Sequence, residues 1–69
     1  MTGKPYLTAR QTEVIELLMQ GLIDKEIAER LGIGLRTVKE LKIQARERFG
    51  ARTSCELVAK YLRQQLSER

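Results

Sequence analysis

The amino-acid sequence predicts an all-α domain of four helices. Apolar residues recur at spacings of three and four, glycines interrupt this recurrence at intervals of about a helix length, and no stretch alternates apolar and polar residues as a half-buried strand does. With 69 residues, the chain can form one small domain around a single core. We expect that domain over residues 7–66, after an N-terminal arm over residues 1–6 and before a frayed C-terminus over residues 67–69.

The first helix is predicted to begin after Thr8 and to end before Gly21. Thr8 and Gln11 form a Thr-x-x-Gln capping box, in which each side chain bonds a backbone N–H group of the first turn. Glycine readily takes the left-handed conformation that follows many helices, so Gly21 is expected to end this one. The stripe expected to face the core contains Val14, Leu17 and Leu18, widened by Ile15 and Met19.

Two further helices are predicted on either side of a tight turn, Gly32-Ile33-Gly34. The second helix is expected from about Asp24 to Leu31, and the third from about Leu35 to Phe49, followed by Gly50. The residues spaced to face the core are Ile27, Ala28 and Leu31 in the second helix, and Val38, Leu41, Ala45 and Phe49 in the third. Two helices joined by a short turn that contains glycine are typical of a helix-turn-helix motif, and Ala28 is the small residue expected where they cross.

The fourth helix is predicted to begin at a second capping box, formed by Thr53 and Glu56. Its apolar stripe is broader than one face of a three-helix core requires. The stripe consists of Leu57, Val58, Tyr61, Leu62 and Leu66. Because a small domain gains stability from pairing, we expect a C₂ homodimer, with interface candidates Val58, Tyr61, Leu62 and Gln65. The alternative is that the whole stripe serves the core of the monomer.

The chain is poor in the residues that most often form catalytic and metal sites. The chain has no histidine, which is the commonest metal ligand and the usual general base, and its single cysteine cannot form an internal disulfide. It also has no apolar run long enough to span a membrane. We therefore expect a cytoplasmic protein that is not an enzyme, with no cofactor, no metal, no membrane partner and no evident small-molecule ligand.

The net charge of +4 is concentrated in one third of the chain. Seven basic and two acidic residues lie between Arg30 and Arg52, whereas the remainder has one more acidic residue than basic residues. A basic patch of this kind is suited to the phosphate backbone of a nucleic acid. The charge alone is equally consistent with an ordinary solvent-exposed helix on which opposite charges pair. Sequence motifs are therefore needed to distinguish nucleic-acid binding from this second interpretation.

Several short motifs occur at a fixed spacing along the chain. They are Leu7-Thr8-Ala9-Arg10-Gln11, Lys25-Glu26-Ile27-Ala28 and Thr37-Val38-Lys39, together with Gly21 and Gly50. At this spacing they resemble the LuxR/FixJ-type (GerE-like) helix-turn-helix DNA-binding domain over roughly residues 7–66. The resemblance implies that the third helix reads DNA and that the fourth pairs two protomers. Because it covers almost the whole chain, we expect the free-standing, single-domain form.

The resemblance places Lys39, Glu40 and Ile43 of the third helix against base edges. A lysine can donate to guanine, a glutamate can accept from cytosine, and an isoleucine can contact only a thymine methyl group. The candidate phosphate contacts are Lys25, Arg36, Thr37, Lys42 and Arg46. The implied function is a sequence-specific transcriptional regulator, whose partners are double-stranded DNA, a second copy of the chain, and RNA polymerase or another regulator.

Some residues depart from the family pattern at positions that matter for function. Ile23 stands where a serine usually caps the second helix, so we expect Asp24 to cap instead and the helix to start slightly later. Leu41 replaces a customary histidine on the third helix. Together with Glu40 and Ile43, it alters the groove-facing surface and leaves a second hypothesis open, in which the domain is a protein-interaction module or antiactivator. Such a module would dock on, or pair with, a full-length regulator without reading DNA.

Overall fold

The computed structural model describes residues 7–67, which form four α-helices joined by short loops. They are α1 (Ala9–Met19), α2 (Asp24–Leu31), α3 (Leu35–Phe49) and α4 (Ser54–Ser67). No strand occurs among these residues, so the prediction of an all-α, four-helix domain is confirmed. The arm predicted over residues 1–6 and the last two residues of the predicted frayed end lie outside the described residues.

The capping box at the start of α1 is present as predicted and also ties two helices together. Thr8 Oγ1 accepts a hydrogen bond from the Gln11 N–H at 3.1 Å, and Gln11 Oε1 accepts one from the Thr8 N–H at 3.2 Å. Gln11 is only 4% exposed, and its amide donates to Gln44 Oε1 of α3 at 2.9 Å. Both ends of this buried amide are therefore hydrogen-bonded, as burial of a polar group requires.

The capping box predicted at the start of α4 is present in part. Thr53 Oγ1 accepts from the Glu56 N–H at 3.0 Å, but the Glu56 carboxylate accepts from the Arg52 N–H at 2.8 Å rather than from Thr53. The hydrogen bond from Arg52, aided by the nearby ammonium of Lys60, holds the pKa of Glu56 below its ordinary value. The stabilisation from these contacts is therefore present above the ordinary pKa of a glutamate and is lost as the pH falls through the lowered value.

The core consists of two apolar clusters, one on each side of α1. The cluster toward α4 contains Ile15, Ala45, Phe49, Ala51, Leu57 and Tyr61. The cluster toward α2 contains Val14, Leu17, Ile27, Ala28 and Val38. The neighbouring residues Val14 and Ile15 are both fully buried because α1 has packed helices on two of its sides. As a result α3, which contributes to both clusters and packs against every other helix, is held firmly along its inner face.

Tyr61 is buried in the core, which corrects its placement among the dimer-interface candidates. Its side chain is 6% exposed, and its ring packs edge-on against Phe49 with ring centroids 6.2 Å apart. The Tyr61 hydroxyl reaches the rim of the core and donates to Glu16 Oε2 at 3.2 Å. A tyrosine can bury its ring in this way because its polar end still finds a partner. The stripe of α4 is therefore divided: Leu57 and Tyr61 serve the core, while Leu62 remains 42% exposed.

Lys60 links α4 to the end of α3, and we expect its loss to destabilise the domain. Its ammonium donates to the carbonyl oxygens of Phe49 and Gly50 at 3.2 and 3.3 Å, satisfying groups that the helix itself leaves free. Lys60→Met is expected to lower the free energy of unfolding by about 1 kcal/mol, measured by urea denaturation. Lys25→Met, at an exposed lysine of α2, should change it by less than about 0.5 kcal/mol. Equal losses in the two variants would contradict this role of Lys60.

Candidate nucleic-acid interface

The turn between α2 and α3 spans only three residues, Gly32 to Gly34. Gly32 ends α2 in the left-handed region (φ 69°, ψ 35°), where a side chain would be strained. The next residue, Ile33, donates its N–H to the Ala28 carbonyl at 3.0 Å, which closes the end of α2. Gly34 is then the N-cap of α3, and its carbonyl accepts from the Val38 N–H at 3.1 Å. The predicted helix-turn-helix is therefore present, with its glycines in the expected places.

The two helices of this motif are locked together by a small apolar contact. Ala28 is 7% exposed and Val38 is fully buried, and both belong to the same cluster. Ile33 of the turn packs against that cluster from the side. The predictions that Ala28 lies at the helix crossing and that Val38 faces the core are confirmed. Because this contact fixes the inner side of α3, it also determines which side of α3 faces outward.

The base-contact candidates Lys39, Glu40 and Ile43 are all exposed on the outward side of α3. Lys39 and Ile43 are one turn apart, and Glu40 lies next to them on the helix surface. Ile43 is 48% exposed. The predicted outward orientation is confirmed, while the contact of these residues with bases stays a prediction.

Glu40 has a cation beside it. Arg36 Nε lies 3.8 Å from Glu40 Oε2, one turn away on the same helix, and the two side chains are 92% and 60% exposed. An ion pair this exposed adds little to the stability of the fold. Its consequence is electrostatic, since the positive charge of Arg36 offsets the repulsion that a carboxylate on this surface would exert on a polyanion.

The structure divides the five phosphate-contact candidates into two groups. Lys25, Arg36 and Thr37 are exposed. Lys42 is engaged with α2, because its ammonium lies 2.8 Å from Asp24 Oδ1 and its side chain is only 18% exposed. Arg46 is half-buried, and its Nε is buried with no hydrogen-bond acceptor among the described residues. Three of the candidates are therefore freely accessible to a ligand and two are not.

Asp24 does not cap α2, and the helix does not start late, so that expectation is wrong. The N-cap is Ile23, which has no side-chain acceptor. Glu26 compensates in part, because its Oε1 accepts from the Ile23 N–H at 2.9 Å. This contact could have been predicted from the sequence, because a glutamate three residues after the N-cap is the second residue of a capping box. The Asp24 carboxylate is bonded to Lys42 instead, a partner 18 positions away that no local pattern indicates.

The outer face of α4 carries the remaining dimer-interface candidates. Val58 is half-buried, Leu62 is 42% exposed, and Gln65 is exposed. Leu66, one turn beyond Leu62, is 61% exposed. Leu62 and Leu66 therefore form a small exposed apolar patch on one side of α4.

Side chains capable of other chemistry are dispersed over the described residues. Cys55, in the first turn of α4, is exposed. Among residues 7–67, no three histidine, cysteine or acidic side chains converge as metal ligands would. None of the helices in that range is both long and apolar enough to cross a bilayer.

In this domain α2 and α3 pack against the core, and the opposite side of α3 is exposed and carries basic residues. This arrangement is that of the helix-turn-helix regulators of transcription. The chain belongs to the luxR family of bacterial regulatory proteins, whose family model matches residues 5–61. This family consists of DNA-binding transcriptional regulators and not of enzymes. The resemblance noted from the motifs is therefore confirmed.

Individual relatives agree with this family membership. The chain is 45% identical over 47 residues to the C4-dicarboxylate transport transcriptional regulatory protein DctR of Rhodobacter capsulatus, covering 68% of this chain and 24% of DctR. It is 40% identical over 61 residues to the spore germination protein GerE of Bacillus subtilis, covering 88% of this chain and 82% of GerE. The chain thus spans about a quarter of the length of DctR but most of the length of GerE.

A solved structure shows the same fold. A chain of the structure described as VqmA bound to DPO superposes with a TM-score of 0.80 at 36% sequence identity. The match covers 84% of this chain and 29% of that chain. In that protein, as in DctR, the region similar to this chain is a minor part of a longer polypeptide.

Proposed function

We propose that the protein is a sequence-specific regulator of transcription that binds double-stranded DNA with α3 in the major groove. The observation that carries this proposal is the side of α3 opposite the core, which is exposed and presents Lys39, Glu40 and Ile43. The major groove, about 12 Å wide, admits an α-helix and displays a different donor and acceptor pattern for each base pair. Membership of a family of transcriptional regulators supports the same role.

In this proposal each exposed residue of the interface has a definite role. Lys39 donates to a guanine, and Glu40 accepts from the amino group of a cytosine. Lys25, Arg36 and Thr37 contact phosphates, which fixes the register of the domain on the duplex. Arg36 also neutralises Glu40 as that carboxylate approaches the phosphate backbone. Arg46 joins the phosphate contacts only by extending its guanidinium from its half-buried position.

We further propose that the protein binds DNA as a homodimer paired through the outer face of α4. Val58, Leu62 and Gln65 form the centre of the pairing surface. Pairing removes the exposed parts of Leu62 and Leu66 from water, at about 25 cal/mol for each Å² of apolar surface buried. A C₂ dimer binds a pseudo-palindromic site whose half-sites lie about 10 base pairs apart. Such a protein works in the cytoplasm, where RNA polymerase or another regulator is its further partner.

Selection of bound duplexes from a random pool at low salt tests the proposed function. We expect enrichment of an inverted repeat that unrelated DNA does not displace. Arg36→Ala and Lys39→Ala should weaken binding to it, whereas Arg63→Ala, which removes an exposed cation from α4, should not. A folded protein that retains no duplex but captures a full-length regulator of the same family would establish the alternative, a protein-interaction module or antiactivator.

Ile43 is expected to make the protein sensitive to a single methyl group in its DNA site. The only apolar group on a base edge in the major groove is the C5-methyl of thymine. Replacing the contacted thymine by deoxyuridine should therefore lower affinity about fourfold per half-site, measured by fluorescence anisotropy. The Ile43→Ala variant should no longer distinguish the two duplexes, whereas Ile23→Ala, at another exposed isoleucine, should still do so. A loss of discrimination in both variants, or in neither, would refute this contact.

A further inference from the structure

We infer that the ion pair between Asp24 and Lys42 is a positioning element of the DNA-binding surface, and that Lys42 is not a phosphate contact. The inference rests on the proposed DNA-binding function. In this view the pair holds the middle of α3 against the first turn of α2, and so sets the angle at which α3 enters the groove.

The geometry of this pair differs from that of a surface ion pair. The Lys42 ammonium lies 2.8 Å from Asp24 Oδ1, and the two side chains are 18% and 25% exposed. The side chains of the Arg36–Glu40 pair, by contrast, are 92% and 60% exposed at a separation of 3.8 Å. A short contact between shielded charges is screened less by salt and is more expensive to break, because each partner would be left partly desolvated without a counter-charge.

The pair lies where it controls the angle between the two helices. The turn at residues 32–34 joins the end of α2 to the start of α3, and the apolar contact of Ala28 with the cluster of Val38 joins the helices between their ends. Asp24 is the first residue of α2, at the end remote from the turn, and Lys42 is in the middle of α3. Helices that are also joined at this third, distant point cannot rotate about their crossing as freely as helices joined only at the turn and at the crossing.

Two exposed lysines that are proposed DNA contacts lie on either side of the ion pair. Lys25 follows Asp24 on α2, and Lys39 lies one turn before Lys42 on α3. Together with Leu35, these four residues line a groove between the start of α2 and α3. The ion pair therefore sets the distance between a proposed phosphate contact, Lys25, and a proposed base contact, Lys39.

The two possible roles of Lys42 predict opposite effects of changing Asp24. If Lys42 is held by Asp24 for positioning, Asp24→Asn and Lys42→Met should each weaken binding to the selected duplex by about two- to tenfold. The double variant should be no weaker than the weaker single variant, because the two changes break one interaction. The slope of log affinity against log salt should be the same in Lys42→Met as in the unaltered protein, since no phosphate contact is lost.

If Lys42 contacts a phosphate instead, Asp24→Asn should strengthen binding, because it removes a negative charge from the interface and releases the lysine. Lys42→Met should then reduce the salt slope by about 0.9 per protomer. Either result overturns the inference. Glu26→Gln removes a charge from the same turn of α2 while keeping an acceptor for the Ile23 N–H, and so measures the effect of that charge alone.

Two further measurements separate positioning from loss of the fold. Affinities are compared where circular dichroism shows each variant fully folded, and Lys42→Arg, which retains a cation for Asp24, should bind within about twofold of the unaltered protein. Loss of binding by Lys42→Arg as large as that by Lys42→Met would overturn the inference. Failure of the unaltered protein to bind any duplex would overturn the proposed function as well, whereas the outcomes above overturn the inference alone.

Discussion

Raising the salt concentration from about 50 to about 200 mM is expected to weaken DNA binding by roughly 10³-fold. The exposed cations on the proposed interface are Lys25 and Arg36, which contact phosphates, and Lys39, which contacts a guanine. A dimer therefore brings about six positive charges into the counterion atmosphere of the duplex. Each phosphate neutralised releases condensed counterions, and the logarithm of the affinity falls by about 0.9 per contact for each tenfold rise in salt. Anisotropy titrations at several salt concentrations would measure this slope.

Single variants make the salt prediction specific to this surface. Arg36→Ala should reduce the slope by about 1.8 per dimer, since one contact is lost on each protomer. Arg63→Ala removes the same charge from α4 and should leave the slope unchanged. A flat salt profile in the unaltered protein would be incompatible with binding through these cations.

A large loss of stability is expected from a substitution in the core of the helix-turn-helix. Ile27 is fully buried in the cluster that joins α2 to α1 and α3. Ile27→Ala should lower the free energy of unfolding by about 2–5 kcal/mol, because it removes apolar contacts and leaves a cavity. A domain this small has only about 3–5 kcal/mol from a single core, so the variant should be marginally stable at 25 °C. Urea denaturation followed by circular dichroism would measure the loss.

The chain provides a control of the same chemistry four residues away. Ile23, the N-cap of α2, is 63% exposed. Ile23→Ala deletes the same side-chain atoms, but at a position where they face solvent and not the core. It should therefore change the free energy of unfolding by less than about 0.5 kcal/mol. Similar losses in the two variants would mean that the packing around Ile27 does not stabilise the domain as its burial implies.

The features that the sequence predicted correctly depend on neighbours close along the chain. The capping box of Thr8 and Gln11 joins residues three positions apart, and the left-handed conformation of Gly32 depends on its lack of a side chain. The apolar spacing that placed Val38 in the core also placed Ile43 outside it, because a helix has a fixed period. The outward side of α3 was therefore predictable before any tertiary contact was known.

The features that the sequence did not predict join residues far apart. Gln11 and Gln44 are 33 positions apart, and Asp24 and Lys42 are 18 apart, so no periodic pattern relates them. The pair at Asp24 changes the interpretation of the interface most, because it removes Lys42 from the exposed cations.

The sequence by itself determined the number of helices, most of their limits and the side of α3 that faces solvent, since caps, glycines and apolar spacing act within a few residues. Only the tertiary structure decided which polar side chains are accessible to a ligand and which apolar residues of α4 belong to the core. Tyr61 illustrates the second case, because a helical stripe looks the same whether it packs against its own domain or another. Its burial depended on Phe49 and Glu16, which come close only when the helices pack.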